Sequence, residues 1–141
     1  MKRYLVVANQ TLGGDHLLEL LRERVAQGPC AIHTLVPATV DQTHWTSDED
    51  TDRALAQRRL SVALERFADL DADVTGEVGD HLVVDGILDV LRREHIDEVV
   101  LSTLPSGVSR WLRLDLVSRV ERAVDVPVTH VVGERAEVGS G

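Results

Sequence analysis

The sequence is poor in cysteine and in positive charge. Cys30 is the single cysteine among 141 residues, so no disulfide can form within the chain, which favours a reduced, cytoplasmic setting and a buried apolar role for the thiol. Lys and Arg number 15 against 24 Asp and Glu, giving a formal net charge of −9. Nucleic acids and anionic membranes select clustered Lys and Arg, and we therefore expect neither as a partner.

The sequence also lacks a long apolar run and a metal-ligand motif. The first apolar run, residues 5–8, is too short for the hydrophobic region of a signal peptide. The six histidines show no metal-ligand spacing and no partner cysteine pair, so we expect no metal. The length fits one domain, residues 1–133, and we predict a disordered tail over residues 134–141.

Apolar segments with the length of strands alternate with amphipathic helical segments. Strands are predicted at residues 4–8, 30–36, 74–78, 99–103 and 126–132. The third strand contains glycines, which favours a position at a sheet edge. Five strands alternating with four helices predict an α/β fold, a three-layer α/β/α sandwich around a five-stranded parallel sheet.

Polar residues mark where the helices begin and end. Asp15 and Asp80 are predicted to cap the first and third helices, Ser47 to open a capping box for the second, and Gly28 to end the first. The spacing of apolar residues predicts the buried faces of the last two helices: Val84, Ile87, Leu88 and Leu91 in the third, and Leu112, Leu116, Val120 and Ala123 in the fourth.

The turn after the fourth strand has the features of an anion pocket. Ligands in this fold class lie beyond the carboxyl ends of the strands, and backbone N–H groups at a helix start carry partial positive charge. Here the turn is rich in small residues and the helix opens with arginine; the candidate residues are Ser102, Ser106, Gly107, Ser109 and Arg110. Arg110 and Arg113 lie three apart and could hold an anion, or could pair with Asp115 or solvent. We expect a small anionic ligand at this turn.

The ends of the first two strands supply the other ligand candidates, which are Ala8, Asn9, Gln10, Thr11 and Val36. Gly13-Gly14-Asp15 resembles part of the loop of PP-loop ATP pyrophosphatases, which implies an adenylating enzyme as one alternative. However, Leu12 stands where that loop has serine, and no residue separates Gly14 from Asp15. A tight capped turn is the better interpretation. Trp45, in a long polar segment, is a candidate lid residue or a loop anchor, and Trp111 could cover a ligand base or seal the rim of the sheet.

Several segments together resemble a universal stress protein domain over nearly the whole chain. They are Gly76-Glu77-Val78-Gly79-Asp80 before a helix, Asp97-Glu98-Val99-Val100-Leu101 as a strand, and Val126-Pro127-Val128 at the last strand. The resemblance implies strand order 3-2-1-4-5, a role in stress response and frequent homodimers. In one subgroup it also implies ATP held by a Gly-x-x-Gly, nine-residue, Gly-Ser/Thr motif after strand four.

This chain departs from that motif at each glycine. Ser102 and Pro105 stand at or near the first two glycines, and Leu114-Asp115 stands at the Gly-Ser/Thr pair. Side chains at these positions would crowd a triphosphate, and Asp115 would repel it. Asn9 stands where the family has an aspartate that contacts the nucleotide, and Asp115 stands at the Ser/Thr of the motif. Both are therefore candidate site residues.

These observations predict a non-enzymatic ligand-sensing or protein-interaction module with weakened or lost ATP binding. The alternative is a regulatory switch that binds ATP or AMP with at most slow hydrolysis. No catalytic residue is predicted, and the cofactor class that the resemblance implies is ATP or AMP.

The last strand is the predicted self-association surface. In a 3-2-1-4-5 sheet it is an edge, and no lysine or second proline after Pro127 blocks pairing with another strand. We expect a homodimer through Val128, Thr129, His130, Val131 and Val132.

Overall fold

The strands form one parallel sheet in the order β3-β2-β1-β4-β5, which confirms the predicted architecture and strand order. The computed structural model describes residues 1–8, 12, 14–38, 49–79, 82–103 and 110–132, and only the backbone of 49–52 and 110–115. Its strands are β1 (Lys2–Val7), β2 (Cys30–Pro37), β3 (Asp73–Gly79), β4 (Glu98–Thr103) and β5 (Val128–Val132). The predicted tail, residues 134–141, lies outside the described residues.

Helices cover both faces of the sheet and divide the core into two parts. They are α1 (Asp15–Ala26), α2 (Glu49–Phe67), α3 (Val83–Arg93) and α4 (Arg110–Ala123). On the α1–α2 face, Val6 and Val36 pack with Leu21 and Phe67. On the α3–α4 face, Leu5, Val7 and Leu101 pack with Ile87 and Val120. Because β1 is central, its side chains enter the two cores alternately, which explains its continuous apolar sequence.

The helix ends differ in part from the prediction. Gly28 has φ +146° just after α1, a conformation that favours glycine and confirms its predicted role. Asp15 is not the cap: Gly14 occupies that position, Asp15 is the first helical residue, and its carboxylate pairs with Arg66 instead. The residue that caps α3 is Leu82, without a side-chain hydrogen bond. The predicted caps Asp80 and Ser47 lie outside the described residues.

The third strand lies at a sheet edge, as predicted, and is pressed closely against α2. A Cβ atom at Gly76 would lie 2.6 Å from Cδ1 of Leu60 and 3.2 Å from the Thr34 carbonyl oxygen. Only a residue without a side chain lets α2 approach the strand this closely, so Gly76 sets the spacing between α2 and β3.

Candidate functional site

Three candidate residues lie side by side at the carboxyl ends of the central strands. Val7 of β1 is in register with Leu35 of β2 and Leu101 of β4, so the next residues, Ala8, Val36 and Ser102, follow in line. Their exposed fractions are 3%, 0% and 6%, and Ala8 and Val36 belong to the core on the α1–α2 face. Three adjacent strands therefore present a row of small or apolar side chains, nearly closed to solvent, next to the carboxyl edge of the sheet.

The remaining ligand candidates are described only in part. Asn9, Gln10, Thr11, Ser106, Gly107 and Ser109 lie outside the described residues, as does Trp45. Helix α4 begins at Arg110, which confirms the predicted helix start after the turn. The side chains of Arg110, Trp111, Arg113 and Asp115 are not among those described, so their roles stay predictions.

A hydrogen-bonded pair that the sequence analysis missed lies beside this turn. His130 Nε2 and Thr103 Oγ1 are 2.6 Å apart, and Thr103 is the last residue of β4. Both side chains are half-buried. The pair is visible only once the register is known, because β5 aligns His130 with Leu101, two residues before Thr103.

Strand β5 lies at the edge of the sheet, as predicted, and its side chains alternate between the two faces. Val131 packs toward the α1–α2 core and Val128 toward the α3–α4 core, and Val132 is 41% exposed. The Val99 N–H donates to the Pro127 carbonyl, and bonding alternates along a parallel ladder. The N–H groups of Val128, His130 and Val132 therefore point away from β4, toward any strand that would pair at this edge.

An open groove of about 670 Å³ runs between α1 and β5. It is lined by His16, Glu19, Leu20, Arg22, Glu23, Ala26, Thr129, His130 and Val131. The groove continues the edge of the sheet onto helix α1, so a strand added at this edge would lie beside charged groups of both signs.

A partly buried ion pair fixes α1 to the start of β4. Arg24 Nη2 donates to Glu98 Oε2 at 3.0 Å, and the two side chains are 19% and 17% exposed. The same carboxylate oxygen accepts from the Thr129 hydroxyl. The hydrogen bond to Glu98 raises the pKa of Arg24. Glu98 thus ties α1 to the edge strand β5, a structural role that the sequence pattern did not reveal.

The cysteine is a buried core residue, as predicted. Cys30 is 3% exposed, and burial raises the pKa of its thiol. A thiol held neutral and away from solvent is a poor nucleophile, so Cys30 contributes packing here. Of the helices in the described part of the chain, none is long and apolar enough to cross a membrane.

Comparison with solved structures finds the same fold in proteins of low sequence identity. A universal stress protein from Archaeoglobus fulgidus in complex with dAMP is 18% identical and has a TM-score of 0.60, with 93% of this chain and 98% of that chain covered. An Arabidopsis thaliana universal stress protein family protein with AMP bound is 13% identical at a TM-score of 0.61, over 100% and 96% of the two chains. A universal stress protein in complex with cAMP is 12% identical at a TM-score of 0.58, over 94% and 98%.

No protein-family model matches the chain, and no curated protein matches it in sequence. The likeness is therefore structural, and it extends over nearly the full length of each chain. The strand order implied by the sequence resemblance is the order observed. This chain has the fold of the universal stress proteins.

Proposed function

We propose that this chain is a non-enzymatic, ligand-sensing module of the universal-stress-protein kind that binds an adenine nucleotide of the AMP class in preference to ATP. The observation that carries the proposal is the row of Ala8, Val36 and Ser102 at the carboxyl ends of three adjacent strands. Proteins of this fold are known in complex with AMP, dAMP and cAMP, each with a single phosphate group. The carboxyl edge is also where ligands bind in open parallel sheets.

The preference against ATP rests on the phosphate side of the site. Ser102, at or near the first glycine of the ATP motif, is 6% exposed, so its side chain occupies space that a glycine would leave open. Pro105 and Leu114 fill the other two glycine positions, and Asp115 adds a negative charge. A monophosphate needs less room and carries less charge than a triphosphate, so these replacements disfavour ATP more than AMP.

The non-enzymatic character follows from the same replacements. Hydrolysis of ATP requires the terminal phosphates to be held in line with an attacking water and their developing charge to be stabilised. A site that crowds and repels the triphosphate does not meet this requirement. A switch that binds ATP and hydrolyses it slowly is the alternative, and tight binding of ATP would favour it.

The setting and assembly of the protein form part of the proposal. The buried, single Cys30 supports a cytoplasmic location, and the fold supports a role in stress response. The outward N–H groups of β5 support a homodimer formed by antiparallel pairing of residues 128–132 about a two-fold axis.

Calorimetric titration with AMP tests both binding and its placement. We expect a dissociation constant tighter than about 100 μM, a binding free energy near −5.5 kcal/mol. Arg110→Glu, at the start of α4, should weaken binding by at least about 1.5 kcal/mol, because it exchanges a charge-assisted contact for repulsion. Arg122→Glu makes the same charge change in the last turn of α4 and is the matched control.

The two variants distinguish a local site from a general effect of charge. Equal weakening by both would show that net charge, rather than the turn before α4, governs binding. Absence of AMP binding by the unaltered protein would overturn the proposed function.

A further inference from the structure

The Thr103–His130 pair stands where β4 leads into the ligand turn. Thr103 is the last residue of β4, and α4 begins at Arg110. Side chains alternate along β4, so Thr103 lies on the same face as Val99 and Leu101, which is the face that α4 covers. The 2.6 Å contact with His130 Nε2 therefore lies on the face that α4 covers, at the same carboxyl edge where Ala8 and Val36 lie on the other face.

The direction of this hydrogen bond decides what the threonine hydroxyl can do next. If Nε2 carries no proton, the Thr103 hydroxyl donates to it and has no proton left for a ligand. If Nε2 carries a proton, His130 donates to Thr103 Oγ1, and the hydroxyl proton is available to an acceptor elsewhere. An anionic oxygen near Thr103 favours the second arrangement, in which two hydrogen bonds run in series and strengthen each other.

We propose that Thr103 is a phosphate-contacting residue of the nucleotide site and that His130 is its positioning residue. The proposal rests on the function proposed above and adds a ligand group and a mechanism of recognition. His130 donates from Nε2 to Thr103 Oγ1, and Thr103 donates to an oxygen of the phosphate. A neutral nucleoside has no such oxygen, so the pair selects nucleotide over nucleoside.

The chain contains a second threonine–histidine pair that serves as a matched control. Thr75 Oγ1 and His33 Nδ1 are 2.7 Å apart at the opposite edge of the sheet, on β3 and β2. Both pairs join a threonine hydroxyl to a histidine ring nitrogen, Nδ1 in His33 and Nε2 in His130, but only the pair at Thr103 adjoins the ligand turn. Loss of the hydroxyl at Thr75 therefore reports any general effect of removing such a pair from the sheet.

The test is titration of AMP and of adenosine into the unaltered protein and its variants. Thr103→Val keeps the shape and removes the hydroxyl, and we expect it to weaken AMP binding about tenfold while adenosine binding stays unchanged. Thr103→Ser restores the hydroxyl and should bind AMP within about threefold of the unaltered protein. Thr75→Val should leave both affinities unchanged.

Variants of His130 test the positioning role. His130→Leu should weaken AMP binding, whereas His130→Gln, whose amide can still donate to Thr103, should restore most of it. His130→Leu added to Thr103→Val should weaken binding no further, because the two residues act through one hydrogen bond.

The outcomes separate this inference from the proposed function. AMP binding that is unaffected by Thr103→Val, or an equal loss of AMP and adenosine binding in that variant, would overturn the inference alone. Failure of the unaltered protein to bind AMP would overturn the proposed function and the inference with it.

Discussion

Replacing Gly76 with alanine should destabilise the protein, although glycine-to-alanine changes in strands usually do the opposite. The new Cβ would lie 2.6 Å from Cδ1 of Leu60, and the Leu60 side chain is 3% exposed and has little room to move. Overpacking of a core costs about 1–3 kcal/mol. The reduced freedom of the unfolded chain returns about 0.4–1 kcal/mol. The difference lies between about 0 and about 2.6 kcal/mol, and its centre predicts a net loss of about 1.3 kcal/mol in the free energy of unfolding.

Urea denaturation followed by circular dichroism measures this loss, and a second substitution tests its cause. Leu60→Val removes the Cδ atoms, including the one that the new Cβ would meet. In that background only the 3.2 Å contact with the Thr34 carbonyl oxygen remains, so Gly76→Ala should cost less and the two changes should be non-additive. If Gly76→Ala is as stable as the unaltered protein, or if its cost is the same in both backgrounds, the packing account of this edge is refuted.

Three further predictions concern charge and assembly. Glu98→Gln should lower the free energy of unfolding by about 1–3 kcal/mol, because it leaves a partly buried Arg24 without its charged partner. Asp89→Asn, in an exposed pair, should change it by less than about 0.5 kcal/mol. Urea midpoints that shift equally in the two variants would refute this distinction. The backbone N–H of Arg3, near the start of β1, donates to the Asp97 carboxylate and lowers its pKa. The stabilising effect of this carboxylate is therefore present above its unfolded-state pKa and disappears as the pH falls through its folded-state pKa. Asp97→Asn should flatten the acid limb of a stability–pH curve, and an unchanged limb would contradict this. Val132→Pro deletes an outward-pointing N–H of β5 and should turn the proposed dimer into a folded monomer. Sedimentation at tens of micromolar measures this, because a dimer with a dissociation constant near about 1 μM is mostly assembled at that concentration. A dimer that survives the change, or an unaltered protein that is already monomeric, would rule out pairing at this edge.

The order of the elements could be predicted because each strand and helix has a distinct apolar period, but the boundaries could not always be. The last strand was predicted from Val126, yet β5 begins at Val128. Pro127 has no N–H to donate to a ladder, although its carbonyl accepts from Val99. Leu12, in the turn predicted after the first strand, is only 1% exposed. Its burial could not be predicted, because a single apolar residue carries no periodic signal.

Helix faces were predicted less accurately where apolar residues crowd together. In α3 the fully buried residue beside Ile87 is Val90, which the prediction omitted, while the predicted Leu88 does not join the core. At the end of α4 the predicted Ala123 is exposed, and Val124, just beyond the helix, is partly buried against the α3–α4 core instead. Small rotations of a helix change which of two neighbouring apolar residues is buried, and the sequence alone does not determine that rotation.

The candidate site, like the helix faces, could be predicted only in part. The placement of Ala8, Val36 and Ser102 side by side near the carboxyl ends of adjacent strands could be predicted, because each follows an apolar run with the length of a strand. Thr103 and His130 could not, because they lie 27 residues apart and meet only through the register of β4 and β5. Short-range motifs identify turns, whereas contacts across a sheet require the alignment of its strands.

The ratio of the dissociation constants for AMP and magnesium-ATP tests the central claim most directly. We expect calorimetry on the unaltered protein to give AMP a dissociation constant tighter than about 100 μM, and ATP none tighter than about 100 μM. That result would agree with a site in which side chains replace the motif glycines at Ser102, Pro105 and Leu114. A low-micromolar dissociation constant for ATP, equal to or tighter than that for AMP, would contradict the account and favour an ATP-dependent switch.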